Sequence, residues 1–339
     1  MMRIILVSTL VGLLFFPVVV QAQTAETEKY LSLDFQKGEK ESDIPDGSFG
    51  NVRFGLIFLG EMNQRILYTA EIAQWQEDKI DLKQAWAGIM FSDAFLVKVG
   101  MYLVPFGRYN KMNRPHQTKL AQPPLNIEAL FPFGWRDLGV QVNGEISGLI
   151  YDLYLGNGLE EGPYLNDLQD YRDNNSDKAR GGRIGWRIGD GFEAGYSYYS
   201  GKYDDDNDRS VQMQGFDLIW VTQNSSLTGE YTRVDLDNPE GFSAGKGEGY
   251  YIQLSFPMES LNPVISYQSL RYDDPFHGQG YSGAIYPGAG IQENRNRWTV
   301  GVILSFQNNL FFKAQYDFNR EKGEELKNNQ FIIQASLVF

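Results

Sequence analysis

The stretch that decides the fold is Asn329-Gln-Phe-Ile-Ile-Gln-Ala-Ser-Leu-Val-Phe339, because its residues alternate between an apolar face and a far more polar one. One face carries Phe331, Ile333, Ala335, Leu337 and Phe339, and the other carries Gln330, Ile332, Gln334, Ser336 and Val338. Alternation over about ten residues is long for an ordinary strand and suits one tilted across a bilayer. The pattern predicts the last strand of a transmembrane β-barrel, and the last strand of a soluble sandwich is the alternative.

The amino terminus has the pattern of an export signal. Residues 1–22 carry one charge, Arg3, followed by an apolar run from Ile4 to Val20. A cleaved signal peptide is favoured over a membrane-spanning helix, because Pro17 interrupts the run and polar sequence follows at once. The predicted organisation is a signal peptide at 1–22 and a barrel at 23–339. No second apolar stretch of about 18 residues occurs, so any further membrane crossing must use strands.

The composition limits the chemistry. The chain has no cysteine and two histidines, which excludes disulfides and thiolate metal sites and leaves few catalytic or metal-binding arrangements. A mean hydropathy of -0.37 is too polar for a helical membrane protein, whereas a barrel places its polar side chains in the lumen. The net charge of -13 argues against a nucleic-acid partner. No cofactor and no metal are expected.

The two-residue period recurs along the mature chain and predicts an all-β barrel of about sixteen strands, which is wide enough for an aqueous channel. The first strand is expected to be short, from Tyr30 to Phe35. Tight turns such as Gly189-Asp-Gly191 alternate with connections that are mostly longer and charged. A barrel inserted from the periplasm shows this asymmetry, with turns on the near side and loops on the far side.

One long connection, from Val104 to Arg136, is chemically unusual. Between Pro105 and Ile127 it contains basic residues and not one acid. The basic residues are Arg108, Lys111, Arg114, His116 and Lys119. Loops of this length are usually functional. If the loop folds into the lumen, its cations occupy a constriction where the field is focused. The alternative is that it lies over the mouth and binds the phosphates of the surrounding lipid.

Strand parity assigns further charged side chains to the pore wall. The expected cations are Arg53, Arg65, Lys98, Arg183, Arg187 and Lys313, and the expected anions are Glu71, Glu145, Asp152, Glu193, Asp217, Glu230 and Asp317. Such a wall is close to balanced, and most of these charges are expected to solvate the channel or to pair across strands. Arg183 and Arg187 lie on one face of one strand and are expected to act together on a passing anion.

The outer connections are acidic. Two of them carry Asp167, Asp170, Asp173, Asp177, Asp204, Asp205, Asp206 and Asp208. Calcium binding by residues 204–208 is one interpretation, but the stretch lacks the glycine and the distal glutamate of a hand-type loop. A solvated acidic rim is favoured, because runs of like charge are usually solvated.

Several segments resemble a known family. Val99-Gly-Met-Tyr-Leu-Val-Pro-Phe-Gly-Arg-Tyr-Asn110 resembles the segment that enters the inward loop of the phosphate-selective porin (porin O/P-like) family. The other similar segments are 154–158, 174–183, 229–231 and 311–318. The resemblance implies a sixteen-stranded trimeric porin in the outer membrane of a Gram-negative bacterium. It does not extend to the ligand, because the dense arginine ladder of phosphate channels has no obvious counterpart here.

The sequence therefore favours a porin for passive diffusion of small hydrophilic solutes and ions, with a mild anion preference set by the long loop. The expected partners are outer-membrane lipid and lipopolysaccharide, small solutes including anions, and further copies of the chain in a homotrimer. A barrel hydrolase or protease is the alternative, but it needs a histidine held beside a nucleophile, and His116 and His277 both fall in loops. A structural barrel or adhesin would want a smaller filled barrel or an attached domain.

Overall fold

The wall of the molecule is one sheet that closes on itself. The computed structural model describes residues 24–74, 80–162, 165–167, 171, 173–274, 294–307, 309–323 and 326–339. Sixteen strands lie within these ranges, and each is antiparallel to both of its neighbours. The last strand pairs with the first, which closes the barrel. The predicted fold is confirmed.

The strands follow one another around the barrel in chain order. They are β1 Thr24–Gly38, β2 Ser48–Met62, β3 Ile66–Gln74, β4 Ile80–Ser92, β5 Phe95–Leu103, β6 Arg136–Ile146, β7 Leu149–Gly156, β8 Ala179–Ile188, β9 Phe192–Lys202, β10 Ser210–Val221, β11 Ser226–Leu236, β12 Gly245–Ser255, β13 Leu261–Asp274, β14 Arg295–Phe306, β15 Leu310–Glu321 and β16 Gln330–Val338. The helix α1 spans Leu125–Ala129, and 3₁₀ turns occur at Tyr109–Lys111 and Leu165–Asp167. No helix in the described ranges is long and apolar enough to cross a membrane.

The first strand is longer than predicted. It spans 15 residues and begins at Thr24 instead of Tyr30. Its early outward positions are Ala25, Thr27 and Lys29, so an apolar face does not mark them in the sequence. Backbone pairing to β2, with Ala25 opposite Gly60, nevertheless continues the sheet there. Pairing with a neighbour can therefore extend a strand beyond its hydrophobic signal.

The two ends of the barrel differ, as predicted. At one end, which we call the turn end, the connections are 63–65, 93–94, 147–148, 189–191, 222–225, 256–260 and 307–309. Ser147 and Gly148 both have positive φ, of 50° and 87°, as a two-residue turn of type I′ requires. The opposite end, which we call the loop end, carries the longer connections, including 39–47, 157–178, 203–209, 237–244 and 322–329.

The exterior of the wall is apolar. On β16 the outward side chains of Phe331, Ile333 and Leu337 are exposed, whereas Gln334 and Ser336 are buried on the lumen side. The two faces predicted for the terminal strand are confirmed. A strand that is apolar outward and polar inward is what a barrel in lipid requires.

Aromatic side chains are unevenly distributed around this exterior. On β9 to β16 the exposed side chains include Tyr196, Phe216, Trp220, Trp298, Phe306, Phe312, Phe318 and Phe331. On β3 to β6 they are mainly aliphatic, with Phe91 and Phe95 close to the turn end as the aromatic residues. The aliphatic ones are Ile72, Leu82, Ile89, Val99, Leu138 and Val140. The barrel thus has an aromatic sector and an aliphatic sector.

Candidate functional site

The connection between β5 and β6 lies inside the barrel. We call residues 104–135 the inner loop. The Gly107 backbone N–H donates to Ser197 Oγ on β9 at 3.0 Å, and the Ala121 backbone N–H donates to Gln315 Oε1 on β15 at 2.7 Å. Because the loop reaches distant strands of the lumen wall, the alternative placement over the mouth is wrong. The loop crosses the lumen and narrows it.

The Pro-Phe-Gly-Arg segment forms the turn by which the chain enters the lumen. Gly107 has a φ of 62°, and a Cβ at this position would lie 2.3 Å from Glu230 Oε2. Only glycine fits both constraints. Glu230 Oε1 then accepts the backbone N–H groups of Arg108 at 2.9 Å and Tyr109 at 2.6 Å. This wall carboxylate therefore fixes the path of the chain where it turns into the lumen.

The base of the inner loop is held together by its own chain. The Val104 N–H donates to the Trp135 carbonyl at 2.9 Å. Asn110 Nδ2 donates to the carbonyl groups of both Val104 and Trp135, at 2.8 and 2.7 Å. The two ends of the loop are thus fastened to one buried amide.

The second part of the inner loop is apolar and packs against the wall. Its buried side chains are Leu125, Ile127, Leu130, Phe131 and Trp135. They pack with the lumen-facing side chains of Tyr199, Val211, Met213, Val234 and Tyr251 on β9 to β12. The rings of Trp135 and Tyr199 meet edge to face at 4.8 Å. The main hydrophobic core of this barrel therefore lies inside the lumen.

A buried carboxylate anchors the middle of the inner loop. Arg114 donates to both oxygens of Glu71 on β3, at 3.1 and 2.8 Å. Lys83 Nζ lies 3.5 Å from the same carboxylate, and Glu71 is 0% exposed. We call Glu71 and these two cations the Glu71 anchor. Lys83 was not among the predicted wall residues. The β3–β4 register shifts at this point, between Glu71 and Ile72, so the alternation of faces along β4 is interrupted there.

Two other predicted constriction cations, Arg108 and Lys111, also form ion pairs with acids of the wall. Arg108 Nη1 lies 2.5 Å from Glu193 Oε1, and Lys111 Nζ lies 2.6 Å from Asp152 Oδ2. With Arg114, three cations of the loop therefore meet three different wall acids. The loop does place these predicted cations in the lumen, and each of the three is paired with a carboxylate, which offsets the cost of taking a cation out of water.

The remaining basic residues of the inner loop, His116 and Lys119, do not form an ion pair between two charged groups within the described ranges. His116 Nε2 lies 3.3 Å from Glu28 Oε1. Burial, and then the nearby Arg114 cation, lower the pKa of His116 to about 4. The imidazole is therefore neutral near pH 7, and it adds no charge to the loop.

Lys119 is held by hydroxyl groups. Its Nζ donates to Ser255 Oγ at 2.7 Å and also contacts Ser226 Oγ. Within the described part of the chain, no carboxylate forms an ion pair with it. Burial lowers the pKa of Lys119 to about 8, so the ammonium is still mostly charged at pH 7. An ammonium has three donors, and these two contacts leave one.

Arg183 and Arg187 do come together, but on an acid of the wall. Both donate to Glu193, at 3.0 and 3.1 Å. Arg183 also binds Asp217 through two hydrogen bonds of 2.8 and 2.6 Å, and Arg187 binds Glu145 at 2.7 Å. Each guanidinium is neutralised where it stands. The expected joint site for a passing anion is therefore already occupied by carboxylates.

Most of the other predicted wall residues face the lumen. Lys98 donates to Gln141 at 3.4 Å, and Lys313 donates to the Pro115 carbonyl at 2.5 Å. Asp317 accepts the Thr299 hydroxyl at 2.6 Å. Lys313 therefore supports the inner loop, while Lys98 and Asp317 belong to networks on the wall.

The last two cations predicted for the wall, Arg53 and Arg65, lie in different environments. Arg53 is 9% exposed and lies 5.4 Å from the centre of the Phe133 ring. Arg65 does not lie on β3, contrary to the prediction. It is exposed in the 63–65 turn at the turn end, where its N–H donates to the Met62 carbonyl at 3.2 Å. The strand begins one residue later, so parity placed Arg65 on the wall incorrectly.

An open cavity remains between the inner loop and β10 to β12, with about 590 Å³ of space that includes solvent open to the lumen. Its lining mixes apolar, neutral polar and charged side chains. The lining residues are Arg108, Tyr109, Met112, Gln117, Thr118, Lys119, Leu120, Gln122, Pro124, Ile219, Thr228, Glu230, Tyr251 and Gln253. Two are cations and one is an acid. We call this space the loop cavity. Its neutral lining was missed because sequence alone does not tell which wall the loop approaches.

The acidic rim is only partly solvated. Asp205, Asp206 and Asp208 are exposed, but Asp204 is buried. Its carboxylate accepts the backbone N–H groups of Asp208 at 3.2 Å and Arg209 at 2.8 Å. The structure therefore corrects the prediction for this residue, which shapes the 203–209 connection.

No group of three or more His, Cys, Asp or Glu side chains that could hold a metal ion occurs among the described residues. Two predicted candidates, Asp170 in the acidic rim and His277 in the enzyme alternative, lie outside the described ranges.

The barrel is similar to solved outer-membrane porins. An anion-selective porin from Comamonas acidovorans is 11% identical with a TM-score of 0.65, and the match covers 93% of this chain and 99% of that one. OmpF from Salmonella typhi, in complex with daunomycin, is 13% identical with a TM-score of 0.67 and coverages of 93% and 97%. The trimer form of OmpT from Vibrio cholerae is 11% identical with a TM-score of 0.65 and coverages of 93% and 99%.

No protein-family model and no curated protein sequence matches the chain. At these identities the structural similarity establishes the fold, which is the general porin fold.

Proposed function

We propose that this chain is a porin of the Gram-negative outer membrane, through which small hydrophilic solutes and ions diffuse passively with a mild preference for anions. The observation that carries the proposal is a closed barrel of sixteen described strands with a long loop folded across its lumen. The similarity of the fold to outer-membrane porins supports this function. An inner loop that narrows a wide barrel selects solutes by size and by charge.

The anion preference rests on the charges that line the loop cavity. Lys119 is the cation of that lining without an ion-pair partner among the described residues, whereas Arg108 is paired with Glu193 and Glu230 accepts backbone N–H groups of the loop. Opposite charges 4 Å apart attract by about 4 kcal/mol when the effective dielectric constant is near 20, and by about 1 kcal/mol in bulk water. A small excess of positive charge therefore matters in the narrowed lumen. The exposed acids at the loop end lie in salt-screened water and have less influence.

The reversal potential across a planar bilayer in a salt gradient tests this proposal. The refolded protein should give ohmic current steps with a modest preference for anions, and Lys119→Gln should reduce that preference. Lys178→Gln is a matched control, because Lys178 is an exposed lysine paired with Asp173 on the 157–178 connection. Absence of current steps would contradict the channel function. A preference for cations in the unaltered protein would contradict the selectivity.

The orientation of the barrel is part of the proposal. The longer connections should face the outside of the cell and the turns should face the periplasm. A cysteine introduced as Asp205→Cys should react with an impermeant reagent on intact cells, while one introduced as Asp190→Cys in the 189–191 turn should not. The reverse pattern would invert the barrel. Removal of residues 1–22 as a signal peptide belongs to the same proposal.

A homotrimer is proposed from the uneven exterior. The aliphatic sector on β3 to β6 lacks the spread of aromatic residues that β9 to β16 present. Aromatic residues are typical of surfaces at the lipid–water boundary, so the aliphatic sector is the better candidate for contact between copies. Cross-linking in mild detergent should give a trimer.

Lipid and lipopolysaccharide are then the partners of the aromatic sector. Membership of the phosphate-selective family remains a proposal that rests on the segments quoted above.

A further inference from the structure

The loop cavity differs from a simple water-filled constriction because part of its lining is apolar. Tyr109, Met112, Leu120, Ile219 and Tyr251 contribute carbon-rich surface. The two tyrosine rings meet edge to face, with 6.4 Å between their centres. An ion that only passes through gains nothing from such a surface. A solute with an apolar body does, because burial removes its apolar surface from water.

The polar part of the lining includes a cation that forms no ion pair among the described residues. Lys119 contacts two serine hydroxyls and has no ion-pair partner among the described residues, which leaves one N–H donor. Arg108, on the same lining, has one guanidinium nitrogen on Glu193 and another near Met112 Sδ, at 3.9 Å. The carboxylate of Glu230 is turned to the backbone of the loop, where one oxygen accepts two N–H groups.

The apolar and polar parts of this lining together fit one class of ligand. We propose that the loop cavity binds small organic carboxylates with an aromatic or apolar body, with the carboxylate on Lys119 and the body against Tyr109, Tyr251 and Ile219. Gln117, Gln253 and Thr228 supply neutral hydrogen-bonding groups beside the body. An inorganic anion would use the cation but not the apolar residues, and a neutral aromatic molecule would use the apolar residues alone. The inference rests on the proposed channel function, because the ligand reaches the cavity through the lumen.

Benzoate is a suitable probe, with benzamide as its neutral counterpart and inorganic phosphate as the anion without an apolar body. Calorimetry on the detergent-folded protein measures binding independently of ion flow. Benzoate should bind at least about tenfold more tightly than benzamide or phosphate, since a charge-assisted hydrogen bond and apolar contact are both required. Equal binding of benzamide would show an apolar pocket only. Equal binding of phosphate would show an inorganic-anion site. Either result would overturn the proposal.

Two variants separate the contributions. Lys119→Gln keeps a hydrogen-bonding side chain of similar length and should weaken benzoate binding about tenfold or more, with little effect on benzamide. Ile219→Thr should weaken benzoate binding and leave acetate binding unchanged. Lys178→Gln, remote from the cavity, should alter neither. Unchanged benzoate binding in Lys119→Gln would overturn the assignment of the carboxylate to this lysine.

Ion current distinguishes failure of the site from failure of the channel. In planar bilayers, benzoate should reduce the current of the unaltered protein and should reduce that of Lys119→Gln much less. Current steps that benzoate does not affect would leave the proposed channel standing and overturn the site. Tight benzoate binding in calorimetry without any current steps would support the site and contradict the channel.

Discussion

The two halves of the inner loop are held in the lumen by different forces. Residues 104–119 are fixed by ion pairs and by hydrogen bonds to wall side chains, including the pairs from Arg108, Lys111 and Arg114. Residues 120–135 are fixed mainly by apolar packing around α1, Phe131 and Trp135. Charge pairs are directional and specify where a segment lies, whereas apolar packing supplies stability with less positional demand. Both halves border the loop cavity, and six of its nine inner-loop lining residues belong to the half that is positioned by charge.

The largest effect is expected from breaking the Glu71 anchor. Glu71→Gln leaves Arg114 and Lys83 buried without their carboxylate, which should cost about 3–5 kcal/mol. Because the first half of the loop depends on this contact, the single-channel conductance should also rise as the loop leaves its place. Urea unfolding in detergent and bilayer recordings measure the two effects. Glu145→Gln is the control, since Glu145 forms a half-exposed pair with Arg187. Unchanged stability and conductance in Glu71→Gln would show that the anchor is dispensable.

A substitution in the apolar half of the inner loop should lower the stability of the protein without moving the first half of the loop. Leu130 is 0% exposed in the lumen core, and Leu130→Ala should cost about 2–5 kcal/mol through lost packing and the space left behind. The ion pairs of the first half remain, so the conductance should stay close to that of the unaltered protein. The same urea and bilayer measurements apply. A rise in conductance as large as that of Glu71→Gln would show that both halves position the loop.

A smaller effect is expected from pH, through Lys119. Burial lowers its pKa to about 8, so its positive charge is present below that pH and is lost as the pH rises through it. The anion preference measured by reversal potential should therefore fall between pH 7 and pH 9 by more in the unaltered protein than in Lys119→Gln. Identical pH profiles for the two proteins would remove Lys119 from the selective region.

The smallest effect is expected at the loop end. Asp205→Asn combined with Asp206→Asn removes two exposed acids that lie in salt-screened water. The reversal potential should barely change, and the stability should change by less than about 0.5 kcal/mol. Asp204 is kept unchanged, because its buried carboxylate holds the backbone of the connection. A large shift in ion preference would move the selective region from the inner loop to the rim.

The barrel could be predicted because each strand carries its own signal. A period of two, repeated between turn residues, follows from the geometry of a strand with one face in lipid. The terminal strand shows this completely, and its two faces agree with the structure. β1 shows the limit of the signal, because its start at Thr24 depends on pairing with β2 and not on its own outward residues.

The sequence predicted many of the residues of the site but not which of them contact each other. The basic loop residues and the wall acids were both identified, but the pairing of Arg114 with Glu71 or of Arg108 with Glu193 joins residues 43 and 85 positions apart. Parity gives the face of a strand and says nothing about which loop residue lands on it. Lys83 was missed because a register shift breaks the period, and Ser226 and Ser255 were missed because hydroxyls give no distinctive signal.

The seam between β1 and β16 has a consequence for how the molecule assembles. The backbones of Lys29 and Phe339 exchange two hydrogen bonds of 2.9 Å, and Gln334 bonds to Asp34 across 300 positions of sequence. Contacts so remote in sequence form late and slowly, because chain entropy must be lost before they are gained. Until the seam forms, two strand edges present unpaired backbone groups that lipid does not satisfy. Closure is therefore the step that commits the whole molecule to its final form.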